Sequence, residues 1–179
     1  MDYPGFEDCE PPDMESWSKA LNAGQYPLSV LGLTERAAAV YRRGVYGNTM
    51  TTNPRALDVA VSVLEQVNTE LRENIRRQGA AFVEDLEALA HEFPGLITQV
   101  QGTGLLFCAE LDPEQATVIG PGSAEERMRI RGIGVIHGGR NALRFTPHFR
   151  ITDAERALVI DTLRDVLAEI HAEQQAVAK

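Results

Sequence analysis

Apolar residues recur along the chain with two different spacings, which separate predicted strands from predicted helices. Residues 14–18 alternate apolar and polar positions and a second apolar run covers 28–33, so two strands are expected around one turn. From Asn53-Pro54 to Phe93-Pro94-Gly95 the apolar positions repeat every three or four residues, which predicts one long helix with a bend near Gly79. Its predicted apolar stripe comprises Leu57, Ala60, Val61, Leu64, Val67, Leu71 and Ile75.

The rest of the chain predicts a small set of strands and helices. The predicted elements are a hairpin over 97–101 and 105–111 turned by Gly102-Thr103-Gly104, a helix over 125–131, and strands over 132–136 and 142–146 around the turn His137–Asn141. Thr152-Asp-Ala-Glu155 is a capping-box signature, which opens a last helix whose apolar face is Ile160, Leu163, Leu167 and Ile170.

Composition narrows the possible partners and compartment. The 179 residues carry a net charge of −9, and long-range repulsion then disfavours both nucleic acid and anionic membrane surfaces as partners. The chain has no apolar run of membrane-spanning length and an acidic rather than basic N-terminus, so we expect a cytoplasmic protein without a signal peptide. Cys9 and Cys108 share no metal-ligand spacing with the four histidines, so we expect two buried thiols and no metal site.

Lys19 is the first candidate for chemistry. It ends the first predicted strand, and a turn that contains Gly24 follows it. An amine shielded at such a corner can lose its proton near neutral pH and condense with a carbonyl group. The alternative is a solvated surface lysine, which is the common case.

Two further segments carry groups that suit anionic ligands. Hydroxyl and amide groups in Gly47–Pro54 precede a predicted helix start, where an anion is favoured, although an ordinary capping turn has the same composition. Arg144 stands alone in an apolar strand, and a buried arginine needs a partner. An internal salt bridge to a carboxylate is the simplest explanation for it.

These three segments together resemble one enzyme family. Pro12-Asp13-x4-Ser18-Lys19-Ala20-Leu21-x2-Gly24-x2-Pro27 resembles the lysine segment of class III pyridoxal-phosphate aminotransferases, the ornithine and ω-amino-acid transaminase group of fold type I. Gly47–Pro54 resembles the Gly-Ser-Thr-x-Gly-Gly-Asn-Pro segment of the family, and Asn141–Pro147 resembles its Leu-Arg-x-x-Pro-Pro strand. The family usually has a glycine triplet where this chain has Asn22-Ala23-Gly24. The similarity runs in order from Pro12 to about Leu167.

The resemblance implies a fold and a role for each segment. The implied fold is α/β: the end of a fold type I large cofactor-binding domain over 1–68, a long connecting helix, and a small C-terminal α+β domain over 69–179. Lys19 would hold pyridoxal 5'-phosphate as a Schiff base and shuttle a proton, Thr49 would contact the phosphate of the partner subunit's cofactor, and Arg144 would grip the substrate α-carboxylate bidentately.

The implied function is transfer of an amino group between an amine or amino acid and a 2-oxo acid, by a class III aminotransferase that forms a homodimer. Family members are longer, and their N-terminal portion supplies the phosphate loop, a stacking aromatic residue and an aspartate for the cofactor ring. We therefore expect this chain to need an N-terminal half, in the same or a separate polypeptide, and to be inactive alone. Two alternatives stay open: a non-catalytic subunit or remnant that serves as an interaction domain, and a different reaction of the same cofactor, such as that of an aminomutase, racemase or decarboxylase.

Overall fold

The chain divides into two units, Met1–Thr69 and Glu70–Lys179, and both combine helices with antiparallel strands. The structure is a computed structural model and describes residues 8–45 and 52–177. The fold class is mixed α/β, as the sequence predicts.

The first unit is built on a two-stranded hairpin. Strand β1 (Met14–Ser18) pairs antiparallel with β2 (Ser29–Leu33), and a single turn of 3-10 helix, Lys19–Asn22, follows β1 directly. Both strands were predicted. Helix α1 (Glu35–Ala38) is short and begins at the cap Thr34, whose hydroxyl oxygen accepts a hydrogen bond from the Ala37 amide at 3.3 Å.

Helix α2 (Pro54–Gln66) begins where the sequence indicated. The Asn53 side chain accepts a hydrogen bond from the Arg55 amide at 3.0 Å, and Pro54 occupies the first turn. The helix then ends at Gln66, and α3 (Thr69–Glu92) begins three residues later. The prediction of one long helix bent at Gly79 was therefore wrong, because the chain leaves the helical conformation at Val67 (φ −79°, ψ 65°) and α3 continues through Gly79.

Few side chains are buried in the first unit. Among its described residues, the buried apolar ones are Ala37, Ala56 and Ala60. Most of its large apolar side chains are exposed instead: Met14, Tyr26, Val30, Leu31, Leu33, Val40, Tyr41, Val45, Leu57, Val61 and Leu64. Helix α2 packs against the 3-10 turn, and its two buried residues are alanines, which allow close approach. The stripe of Leu57, Val61 and Leu64 is consequently left on the surface of the chain.

The second unit contains a four-stranded antiparallel sheet with the strand order β3-β4-β6-β5. Its elements in chain order are β3 (Ile97–Thr103), β4 (Leu106–Leu111), α4 (Ala124–Ile130), β5 (Ile136–Gly138), β6 (Ala142–Phe145) and α5 (Asp153–Val177). The predicted hairpin and the predicted helices over 125–131 and after Thr152 are confirmed. The strand predicted over 132–136 is shifted, since β5 begins at Ile136 and includes His137 and Gly138.

Helices α3 and α5 supply the other half of the core of this unit. Phe82 of α3 stacks on Phe107 of β4 with 4.4 Å between ring centroids, and Phe107 stacks on Phe145 of β6 at 5.3 Å. The predicted face of α5 is buried in the same core. The capping box at its start is confirmed: the Glu155 amide donates to the Thr152 hydroxyl, and the Thr152 amide donates to the Glu155 carboxylate at 2.8 Å. That backbone hydrogen bond lowers the pKa of Glu155 below its ordinary value.

Helix α3 lies directly on the backbone of the β3–β4 turn. A Cβ atom at Gly79 would overlap the carbonyl group of Gly104, and one at Gly102 would lie 2.7 Å from the Cβ of Phe107. Gly104 itself has φ +52°, in the left-handed region that glycine enters easily. The glycines of this turn therefore have two roles: they let α3 approach the backbone of the turn, and they let the chain reverse direction between β3 and β4.

We expect Gly79→Ala to destabilise the second unit by about 1–3 kcal/mol, because the new methyl group meets backbone that cannot rotate away. The gain of up to about 1 kcal/mol in helix propensity offsets only part of this loss. Gly134→Ala is the control, since a Cβ at Gly134 meets no atom within 4 Å. Urea unfolding of both variants measures the difference, and equal midpoints would contradict the close contact.

Candidate functional site

Lys19 lies at the corner where β1 ends and the 3-10 turn begins. Ser18 is extended (φ −153°, ψ −167°), whereas Lys19 has φ +52°, so the chain turns sharply at the lysine. A left-handed backbone conformation is unfavourable by about 1–2 kcal/mol for a residue other than glycine, and such strain is concentrated at functional positions. The Lys19 side chain is exposed in this chain.

Hydrogen bonds on both sides of Lys19 hold this corner. The Ser18 hydroxyl donates to the Leu28 carbonyl at 2.8 Å, which ties the end of β1 to the start of β2. After the lysine, the Ala23 amide donates to the Ala20 carbonyl at 3.1 Å, and the Asn22 side chain donates to the Tyr26 carbonyl at 2.8 Å. The backbone from which the Lys19 side chain projects is therefore held on both sides.

Lysine is rare in this protein, although cations are not. The sequence contains fifteen arginines and two lysines, Lys19 and Lys179. A guanidinium group stays protonated and is a poor nucleophile, whereas a lysine amine can react with a carbonyl group. Lys19 is thus one of two side-chain amines in the chain, and the other lies at its C-terminal residue.

Thr49 lies outside the described residues, so its predicted contact with a phosphate stays a prediction. The structure does describe the segment that follows it. Thr52 has φ +60°, and Asn53 caps α2, so the chain enters the helix from a strained residue. The amide groups of the first turn of a helix favour an anion.

Arg144 lies on β6, and its side chain is exposed. Within the described part of the chain its guanidinium group has neither a hydrogen bond nor an ion pair, so the alternative of an internal salt bridge finds no partner there. Its neighbours Leu143 and Phe145 are buried in the core. Because side chains alternate between the two faces of a strand, Arg144 points to the opposite face of the sheet.

Gly138, predicted as a turn residue, lies at the end of β5 beside the stem of Arg144. A Cβ atom at Gly138 would lie 3.6 Å from both Cβ and Cδ of Arg144, so the arginine stem passes beside this glycine of β5. Cys108 on β4 and Ile136 on β5 are the cross-strand partners of Arg144. A largely apolar cavity of about 120 Å³ adjoins it, lined by Phe82, Phe107, Phe145, Pro147 and Val159 among others.

Other kinds of site find less support. Within residues 8–45 and 52–177, no cluster of three histidine, cysteine or acidic side chains is placed to bind a metal ion. The helices of the same residues include none that is both long and apolar enough to cross a membrane. Both cysteines are free, but Cys9 is exposed and Cys108 half-buried, so the expectation of two buried thiols was wrong.

The family model for class III aminotransferases matches residues 7–167, most of the chain. This protein belongs to the class III aminotransferase family. It is 34% identical over 163 residues to an acetylornithine aminotransferase of Xanthomonas axonopodis. The aligned residues cover 90% of this chain and 39% of that relative. It is also 34% identical to a succinylornithine transaminase of Citrobacter koseri, over 84% of this chain and 36% of the relative.

Solved structures of this family share the fold. An ornithine aminotransferase of Toxoplasma gondii, with partial occupancy of PLP at its active site, superposes with a TM-score of 0.79 at 27% identity, over 92% of this chain and 38% of that one. This class III aminotransferase chain therefore spans about two fifths of the length of the relatives it matches.

The class III aminotransferases depend on pyridoxal 5'-phosphate, and the described residues suit one part of that cofactor. Its aldehyde needs a primary amine, and Lys19 presents one at a corner held by hydrogen bonds. The phosphate needs hydroxyl and amide donors, which the sequence predicts on Gly47–Pro54, mostly outside the described residues. The chemistry of the available groups thus fits covalent attachment at Lys19.

Proposed function

We propose that this chain forms the C-terminal part of a class III aminotransferase that moves an amino group between an amine or amino acid and a 2-oxo acid. The main observation in support is that Lys19, which has a strained backbone conformation, presents an exposed amine. The chain around it matches the family over residues 7–167. The names of the relatives suggest the first donors to assay, N-acetylornithine and N-succinylornithine.

Each candidate residue has one task in this proposal. The bound cofactor supplies an electron sink for the substrate α-carbon. Lys19 would anchor the cofactor covalently, and once the substrate amine has displaced it, its free amine would move the proton from the substrate α-carbon to the cofactor. Thr49 donates a hydrogen bond to the phosphate of the cofactor in the partner subunit.

Arg144 binds the substrate carboxylate in this proposal. The guanidinium group of Arg144 is permanently charged and can form two parallel hydrogen bonds to a carboxylate. It is exposed, and it has no carboxylate partner among the described residues. An arginine that served only the fold would be expected to pair with one of the many acidic residues of this chain.

The proposal includes an assembly with an N-terminal half, in the same or a separate polypeptide, and a homodimer in the cytoplasm. Two observations support it: the chain spans about two fifths of its relatives, and large apolar side chains of the first unit are exposed. Residues 1–68 would then be the end of the large cofactor-binding domain and 69–179 the small domain. Surfaces with so many apolar residues commonly mark interfaces.

Reduction of the assembled enzyme with borohydride in the presence of pyridoxal phosphate is expected to leave the adduct on Lys19, because its amine anchors the cofactor. Peptide mapping makes this test sharp, since Lys179 is the only other lysine among these 179 residues and serves as an internal control. Lys19→Ala should lower turnover by several orders of magnitude. A major adduct on any other lysine of the assembled enzyme, or no adduct, would refute the assignment.

Arg144→Lys should raise the KM of a carboxylate-bearing substrate by about 10- to 100-fold, since a charged bidentate hydrogen-bond pair is lost while the charge remains. Steady-state kinetics with the assembled enzyme measures this change. Arg140→Lys is the matched control, because Arg140 is an exposed arginine in the turn before β6. Equal effects of the two substitutions would exclude a specific carboxylate contact.

The 179-residue chain alone is expected to show little or no aminotransferase activity, because the phosphate loop and the partner of the cofactor ring are expected on the N-terminal half. Assays of the purified chain, with and without that half, measure the difference. Appreciable turnover by a sample shown by mass spectrometry to contain only this chain would contradict the proposed assembly.

A further inference from the structure

Asn22 stands out within the first unit because it is buried. Its side chain is 1% exposed, whereas every other polar residue described in this unit is exposed or half-buried. It is the last residue of the 3-10 turn that Lys19 begins. Burying an amide is unfavourable unless hydrogen bonds compensate, so a polar residue at this place needs an explanation.

The two ends of the Asn22 amide have different environments. Its Nδ2 donates to the Tyr26 carbonyl at 2.8 Å. Its Oδ1 is buried and has no hydrogen-bond partner among the described residues. A residue selected only for stability would be poorly chosen here, since an unpaired buried acceptor is destabilising.

The one hydrogen bond that the amide makes closes the loop behind Lys19. The backbone of Asn22 accepts from the Gln25 amide at 3.2 Å while the side chain donates to Tyr26, so Asn22 contacts the loop twice. The turn contains two residues other than glycine with positive φ, Lys19 at +52° and Ala23 at +55°. Their conformations need external support, because neither residue prefers this region.

We propose that Asn22 is a positioning residue, which holds Lys19 in its left-handed conformation through the hydrogen bond to the Tyr26 carbonyl. The inference rests on the proposed role of Lys19 as the attachment point of the cofactor. Asn22 acts through the turn rather than by contact with substrate. The direction of the lysine side chain depends on its backbone φ, so a relaxed turn would send the amine elsewhere.

Three variants of the assembled enzyme separate positioning from stability. Asn22→Leu removes the hydrogen bond but also the unpaired oxygen, so the melting temperature should stay close to that of the wild type. Asn22→Asp keeps the shape and loses the donor while the carboxyl group is ionised; protonation at acidic pH restores a donor. Gln25→Ala removes only an exposed, long hydrogen bond of the same loop, from the Gln25 side-chain amide to the Ala23 carbonyl at 3.4 Å, and is the control.

The first measurement is amide hydrogen exchange without cofactor. Exchange at Ala23 and Gln25 should become about tenfold faster in Asn22→Leu and in Asn22→Asp at neutral pH, and return towards the wild-type rate in Asn22→Asp as the pH falls. The second is borohydride trapping at limiting pyridoxal phosphate. The fraction trapped on Lys19 should fall about five- to tenfold, the effect of one buried hydrogen bond, whereas Gln25→Ala should match the wild type.

The outcomes distinguish this inference from the proposed function. Wild-type exchange and trapping in both Asn22 variants would overturn the positioning role and leave the role of Lys19 intact. A wild-type enzyme that forms no adduct on Lys19 would overturn the proposed function and the cofactor-related role of Asn22 with it. A melting temperature that falls in Asn22→Leu with unchanged exchange and trapping would show Asn22 to be structural only.

Discussion

The contact between Gly79 of α3 and the Gly104 carbonyl group determines the arrangement of the second unit. Because neither residue has a side chain, the helix lies on the backbone of the β3–β4 turn, and Phe82 reaches the rings of Phe107 and Phe145. Burial of Phe145 fixes which face of β6 points to the core. Arg144 is then directed to the other face, so a steric constraint at one end of the sheet decides where a guanidinium group is presented.

The first unit is organised differently, because hydrogen bonds rather than a core define its central feature. Its described buried apolar residues are three alanines, yet the corner at Lys19 is held by Ser18 on one side and Asn22 on the other. A strained backbone conformation at a lysine persists only when surrounding contacts hold the local backbone in place. The two units thus combine a rigid sheet that presents a cation with a hydrogen-bonded turn that presents an amine.

Local signals in the sequence predicted the elements that local physics controls. The strands beside Lys19, the Asn53-Pro54 helix start and the Thr152–Glu155 capping box need only neighbouring residues to form, and all were predicted correctly. The break between helices α2 and α3 at Val67 was missed because no glycine or proline marks it in the sequence. The exposure of Arg144 and the burial of Asn22 depend on packing against distant elements, which no pattern of single residues reports. Thr49 and the pairing of the three candidate residues remain predictions.

The apolar surface of the first unit has a consequence for the behaviour of the chain in solution. Leu31, Leu57, Val61 and Leu64 are exposed on a protein with a net charge of −9, so like-charge repulsion opposes the association that these side chains favour. Added salt shortens the range of that repulsion to about 10 Å at 0.1 M without weakening the hydrophobic attraction. Dilute buffer should therefore keep the chain dispersed, and rising ionic strength should promote its self-association.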